Sequence, residues 1–255
     1  MMTVQTDTPL EYLLHLADNV LILGHRLSEW CGHGPVLEQD IALTNISLDL
    51  VGQARMYYQY AAEIEGNGKT EDDLAYLRDV PEFRNFLLTE QPNGDWGQTI
   101  VRQFLFDAWH HPLLKALTES PDQRIAEVAQ KSLKEVTYHL RYSSEWVIRL
   151  GDGTDESNRR MNTALDMLWP YTGELFTDTP MDMAIHKKEI APLPSSIHTQ
   201  WMDTVTEVLN RATLTIPNND WAQSGGKTGQ WHTEHLGHIL AEMQWMQRAY
   251  PNMQW

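Results

Sequence analysis

A spacing constrains this chain more than any single residue does. Between Leu37 and Glu63, residues Leu43, Ile46, Leu50, Gln53, Tyr57 and Tyr60 recur at alternating gaps of three and four. That repeat puts side chains on one face of a helix with 3.6 residues per turn. A helix over this stretch would be about 40 Å long, so burying its stripe requires partners of similar length. The sequence supplies three. Pro9–Glu29 carries Leu13, Leu14, Leu21 and Leu27; Asp95–Ser120 carries Ile100, Phe104, Asp107 and His111; Asp122–Leu150 is the last. Gly32-His33-Gly34-Pro35, Gln91-Pro92-Asn93-Gly94 and Gly151-Asp152-Gly153 punctuate them. Pro112 is expected to kink the third helix or start a new segment. The reading is an all-α four-helix bundle forming one domain over residues 1–255. Additional helices at about Asp155–Phe176, Ser195–Ala212 and Glu234–Tyr250 wrap around it. Short helices are expected at Asp72–Arg78 and Pro81–Thr89, and an extended glycine-rich loop at Asn218–Gln230. No strand-like alternation, internal repeat or low-complexity tract is present.

Charge and composition exclude several function classes. A net charge of -16 argues against binding nucleic acid or an anionic membrane surface. The single cysteine, Cys31, cannot form an internal disulfide and fits a reducing cytoplasm. The N-terminus does not read as a signal peptide: Asp7 and Glu11 flank Leu10, and His15 and Asp18 break the apolar run. No segment is long and apolar enough to span a bilayer. Ten tryptophans and eleven methionines point to wide helix–helix surfaces.

The chemistry-bearing residues look like a metal site taken apart. A di-iron bundle uses about four carboxylates and two histidines, with Glu-x-x-His on each of two helices, because i and i+3 share a face. None of the eleven histidines has Glu three residues before it; Asp107-Ala-Trp-His110 comes nearest. Glu29, Asp107 and His139 sit where a bundle would want ligands, but the partner positions read Leu50, Gln53 and Val136. Each survivor has a plain reading too. Glu29 can pair with Arg26 on the surface, and His139 can be an ordinary hydrogen-bonded core residue. Asp107 stands in Phe104-Leu105-Phe106-Asp107-Ala108-Trp109, too apolar a setting for a carboxylate without partners. The three are expected to converge inside the bundle as a hydrogen-bonded cluster, with Arg26, Arg55 or Arg102 filling the space of a metal. A rival site lies in His232-Thr233-Glu234-His235-Leu236-Gly237-His238, where His235 and His238, or Glu234 and His238, share a helix face. The same stretch reads equally as a helix start or an interface. The candidate interface residues are Trp231, His232, Glu234, His235, Met243, Trp245 and Met246. Gly225-Gly226-Lys227-Thr228 has the look of a phosphate loop, but position 221 is Trp rather than the first glycine.

The runs Ser28-Glu29-Trp30-Cys31-Gly32-His33, Asp49-Leu50-Val51-Gly52-Gln53-Ala54-Arg55, Glu90-Gln91-Pro92-Asn93-Gly94, Lys227 through Gly237 and Leu240-Ala241-Glu242-Met243-Gln244 resemble the C-subunit family of bacterial phenylacetyl-CoA 1,2-epoxidases. The resemblance covers essentially the whole chain. It implies a ferritin-like fold and a place beside a homologous catalytic A subunit. That subunit holds the di-iron centre and inserts one oxygen atom of O2 into the ring of phenylacetyl-CoA. Further small and reductase subunits are implied as well. Against the catalytic subunit's pattern, Asp-Glu-Ala-Gly-His falls on Asp49 to Gln53, and Lys-Glu-Glu-Ser-Phe-His falls on Lys134 to His139. Ligands are thereby replaced at Leu50, Gln53 and Val136. The resemblance thus implies a chain without oxygenase activity or bound cofactor, a structural subunit of aerobic phenylacetate degradation. The alternative is a metal-dependent enzyme in its own right, acting through Asp107, His110 and His139 or the C-terminal histidines.

Overall fold

The computed structural model describes residues 8–218, 221–251 and 253; Asp7 and residues 219 and 220 of the expected loop lie outside them. Ten α-helices and no strand are found among the described residues. The four long ones are α1 (Thr8–Ser28), α2 (Leu37–Glu65), α5 (Trp96–Leu117) and α6 (Gln123–Gly151). The stops work as the sequence implies. Asp95 and Asp122 cap α5 and α6 by accepting the amides of Gln98 and Ile125, at 2.9 and 3.1 Å. Gly66 closes α2 at φ +69°, a left-handed turn that suits glycine. α1 and α2 pair closely where Gly24 meets the second helix: a Cβ there would lie 3.2 Å from Val51 Cγ2 and 3.4 Å from Leu50 Cβ. α5 pairs with α6, and α2 with α6, so one continuous apolar core runs through the bundle.

The remaining helices are α3 (Glu71–Tyr76), α4 (Leu87–Glu90), α7 (Asp155–Leu168), α8 (Pro180–Lys187), α9 (Pro194–Arg211) and α10 (Glu234–Ala249). α7 and α9 lie on α5 and α6, α8 on α1, and α10 on α3. The indole of Trp201 fastens α9 to α5 by donating to the Leu105 carbonyl at 3.0 Å.

Two expectations need correction. The helix expected to run from Asp155 to Phe176 stops at Leu168 and continues as 3₁₀ turns at Trp169–Tyr171 and Gly173–Phe176, since Pro170 and Gly173 disfavour α geometry. Pro81–Thr89 is a 3₁₀ turn at Val80–Glu82 followed by α4. Pro112 starts no new segment and lies inside α5, which continues to Leu117. One helix was not foreseen. α8 starts with a capping box in which Thr179 and Asp182 satisfy each other's amides, with Pro180 at the first helical position.

Candidate functional site at the bundle centre

α2, α5 and α6 bring a polar group into the middle of the core. Leu50, Gln53, Val136, Asp107 and His139 are all fully buried. Asp107 accepts hydrogen bonds from Gln103 Nε2 at 2.7 Å, one turn earlier on α5, and from Ser143 Oγ at 2.8 Å on α6. Burial pushes its pKa up to about 7, against the opposing influence of His139 and the two donors. His139 donates Nε2–H to Asp49 Oδ2 at 3.0 Å. Gln53 donates to Glu135 Oε2 at 3.3 Å, and burial and Asp49 raise the pKa of Glu135. His110 is driven down to about 3 by burial and by His139 and His111, so it is neutral. Gln53 Oε1, Gln103 Oε1, His110 Nδ1 and His139 Nδ1 are buried without a protein partner.

Asp49, Gln103 and Ser143 were not singled out from the sequence. The available signal was spacing: Asp49 is four residues before Gln53 and shares its side of α2, so both face α6.

Glu29 does not join this cluster. It follows the last residue of α1, and its carboxylate is bound at the surface by Arg26 at 2.9 Å and Asn93 at 2.8 Å. At the level of Leu50, α1 presents Gly24, so the first helix offers no carboxylate there. The expected convergence of Glu29 with Asp107 and His139 is therefore corrected. The arginines are elsewhere too. Arg26 also grips the Glu90 carbonyl, Arg102 bonds the Gln91 carbonyl and Asn93 Oδ1, and Arg55 meets Glu71 on the surface. No arginine meets Asp107; burial favours its neutral form, and Gln103 and Ser143 satisfy its two oxygens.

These residues do not suit a di-iron centre. At the positions where the resemblance expects carboxylate and imidazole ligands stand an alkyl side chain at Leu50, an amide at Gln53 and an alkyl side chain at Val136. Among the described residues, no group of three or more His, Cys, Asp or Glu is placed to hold a metal ion.

The C-terminal residues divide into two sets. Trp231, Glu234, Trp245 and Met246 are exposed, while His235 and Met243 are half-buried. His232 belongs to the interior. Its side chain bridges Glu90 Oε1 at 2.5 Å and the Phe83 carbonyl at 3.2 Å. A carbonyl can only accept, so Nε2 carries a proton and donates to Phe83, while Nδ1 faces the Glu90 carboxyl group. Glu90 is fully buried and also accepts from Thr233 N at 2.8 Å and Asn85 Nδ2 at 3.0 Å. The glycine-rich loop also receives a carboxylate from its own chain. Glu174 accepts from the amides of Gly225 and Lys227 at 2.9 and 3.0 Å, and Lys227 Nζ pairs with buried Asp182 at 2.7 Å. A Cβ on Gly226 would come within 2.5 Å of the Asn85 carbonyl, so glycine is required for that approach.

Residues 1–255 match the family described as phenylacetic acid catabolic protein. The chain belongs to this family. A relative in Escherichia coli (strain K12), named as the C subunit of 1,2-phenylacetyl-CoA epoxidase, is 49% identical over 244 residues, covering 96% of this chain and 98% of the relative. The fold is accordingly the family's all-α, ferritin-like one. No helix among the described residues is long and apolar enough to cross a membrane.

Proposed function

We propose that this chain is the non-catalytic structural subunit of a multicomponent di-iron monooxygenase that epoxidises the ring of phenylacetyl-CoA. In this reading it binds and supports a homologous catalytic subunit, which holds the irons, alongside further small and reductase subunits. The observation that carries it is the bundle centre. The long helices of an oxygenase scaffold are complete, but Leu50, Gln53 and Val136 stand buried where anionic oxygen and imidazole donors belong. Such a scaffold, kept without its chemistry, serves assembly. The name of the Escherichia coli relative supports the substrate and the multi-subunit setting. The chain would work in the cytoplasm, which suits an exposed, unpaired Cys31.

Mixing the purified chain with the catalytic subunit in size-exclusion chromatography tests this. Co-elution at micromolar concentration is expected; separate elution would overturn the assignment.

A further inference from the structure

The added helices leave one side of α2 uncovered. α2 packs on α1, α6 and the short α3, whereas α7 and α9 cover α5 and part of α6. On the open side of α2, Val36, Leu37, Ile41, Leu48 and Val51 are between 38% and 72% exposed. Residues 37, 41 and 48 fall within about 40° of one another around the helix, and the stripe from 37 to 51 is about 21 Å long. The neighbouring helix extends it. α2 and α6 run antiparallel, with the Tyr142 hydroxyl on Gln39 at 2.6 Å near one end and Gln53 on Glu135 at 3.3 Å farther along. Between them, beside the Asp49–His139 contact, Tyr138 of α6 is 41% exposed. A Cβ on Gly52 would meet nothing within 4 Å, so the seam is open to close approach. A contiguous apolar strip of this kind on a soluble chain marks a contact surface.

The charges around it identify what fits. The protein has 19 Lys and Arg against 35 Asp and Glu, yet Lys131, Lys134 and Arg141 gather on the exposed face of α6 beside the stripe, with Arg55 on α2. Among the described residues, Lys131, Lys134 and Arg141 form no salt bridge, and Arg141 lies over the Tyr138 ring. Along the one strip of α6 that carries Tyr138, the exposed order is Glu127, Lys131, Lys134, Tyr138, Arg141, Glu145. An antiparallel crossing of two copies centred here would set Glu127 against Glu145 and Lys131 against Arg141. In that register like charges would meet, and the unpaired cations at its centre call instead for a partner with carboxylates opposite them.

We propose that the exposed α2–α6 face is the docking surface for the catalytic subunit, which meets it with an apolar helical face bearing carboxylates opposite Lys131, Lys134 and Arg141. The existence of that partner rests on the function proposed above; its location on the molecule rests on this face.

Binding of the purified catalytic subunit to full-length variants tests the assignment. Leu48→Asp places a charge at a 64% exposed position, so the thermal melt should match wild type while Kd rises at least 100-fold. Lys134→Glu should slow association and weaken its salt dependence. Trp245→Asp, on α10, should leave Kd within threefold. Leu48→Asp binding as tightly as wild type, or affinity lost at Trp245→Asp instead, would overturn the location while leaving the proposed function standing. A wild-type homodimer that Leu48→Asp converts to monomer would also overturn it by showing a second copy on the face. Failure of wild type to bind at all would defeat the function and the location together.

Discussion

Replacing Asp107 with asparagine should make the protein relatively more stable as pH rises. Asp107 is fully buried, and its pKa rises from an ordinary 3.8 to about 7, chiefly through burial. Between those values the folded chain keeps a proton that the unfolded chain has released. Unfolding therefore sheds a proton, and the stabilisation present below about pH 4 is lost as pH climbs through about 7. The slope is about 1.4 kcal/mol per pH unit, or roughly 4 kcal/mol over the whole window. An asparagine side chain cannot titrate and can keep both contacts. Its Oδ1 accepts from Gln103 Nε2, and its Nδ2 donates to Ser143 Oγ, whose own hydrogen can turn fully to the Leu140 carbonyl at 3.3 Å. Wild type and Asp107→Asn should melt within a few degrees of each other at pH 5.5. By pH 7.5 the difference should move by about 2 kcal/mol in favour of the asparagine variant, roughly 4–8 °C in Tm for a chain of this size. Differential scanning calorimetry at half-unit steps reads this directly. Parallel Tm curves for the two proteins across that range would refute the buried, protonated aspartate.

His232→Ala should leave buried Glu90 without one of its hydrogen-bonding partners and cost about 1–3 kcal/mol, a fall of roughly 2–12 °C in Tm. A loss under about 2 °C would show that Glu90 does not depend on the His232 contact. Gly226→Ala should destabilise by about 1–3 kcal/mol because its Cβ collides with the Asn85 backbone. A neutral result in urea denaturation would mean that the loop can move away from α4.

The bundle was legible because its signals are local. Gaps of three and four along α2, aspartates at the starts of α5 and α6, and glycines at the turns each act within a few residues. The burial of Leu50, Gln53 and Val136 was legible for the same reason: they sit inside regular helices, and their faces follow from the period. The level of one helix against another was not. Glu29 and Gly24 are five residues apart on the same rod, and only the α1–α2 crossing at Gly24 decides which of them meets Leu50. The Arg26 spacing, which argued for a surface ion pair, was the better guide to Glu29. Long-range polar contacts were hidden as well. Glu90 and His232 are separated by 142 residues, and Glu174 reaches the amide of Lys227 across 53. Nothing within a few residues of either half points to the other, so the glycine-rich loop resembled a ligand cradle when its ligand is the chain's own carboxylate. His232 was assigned to an interface for the same reason.

Iron content of the purified chain after expression in iron-rich medium tests the central claim most directly. The account predicts much less than one iron per chain, because Leu50, Gln53 and Val136 supply no anionic oxygen or imidazole and Glu29 faces the surface. Two irons per chain, with ring oxidation of phenylacetyl-CoA by this chain alone, would contradict it.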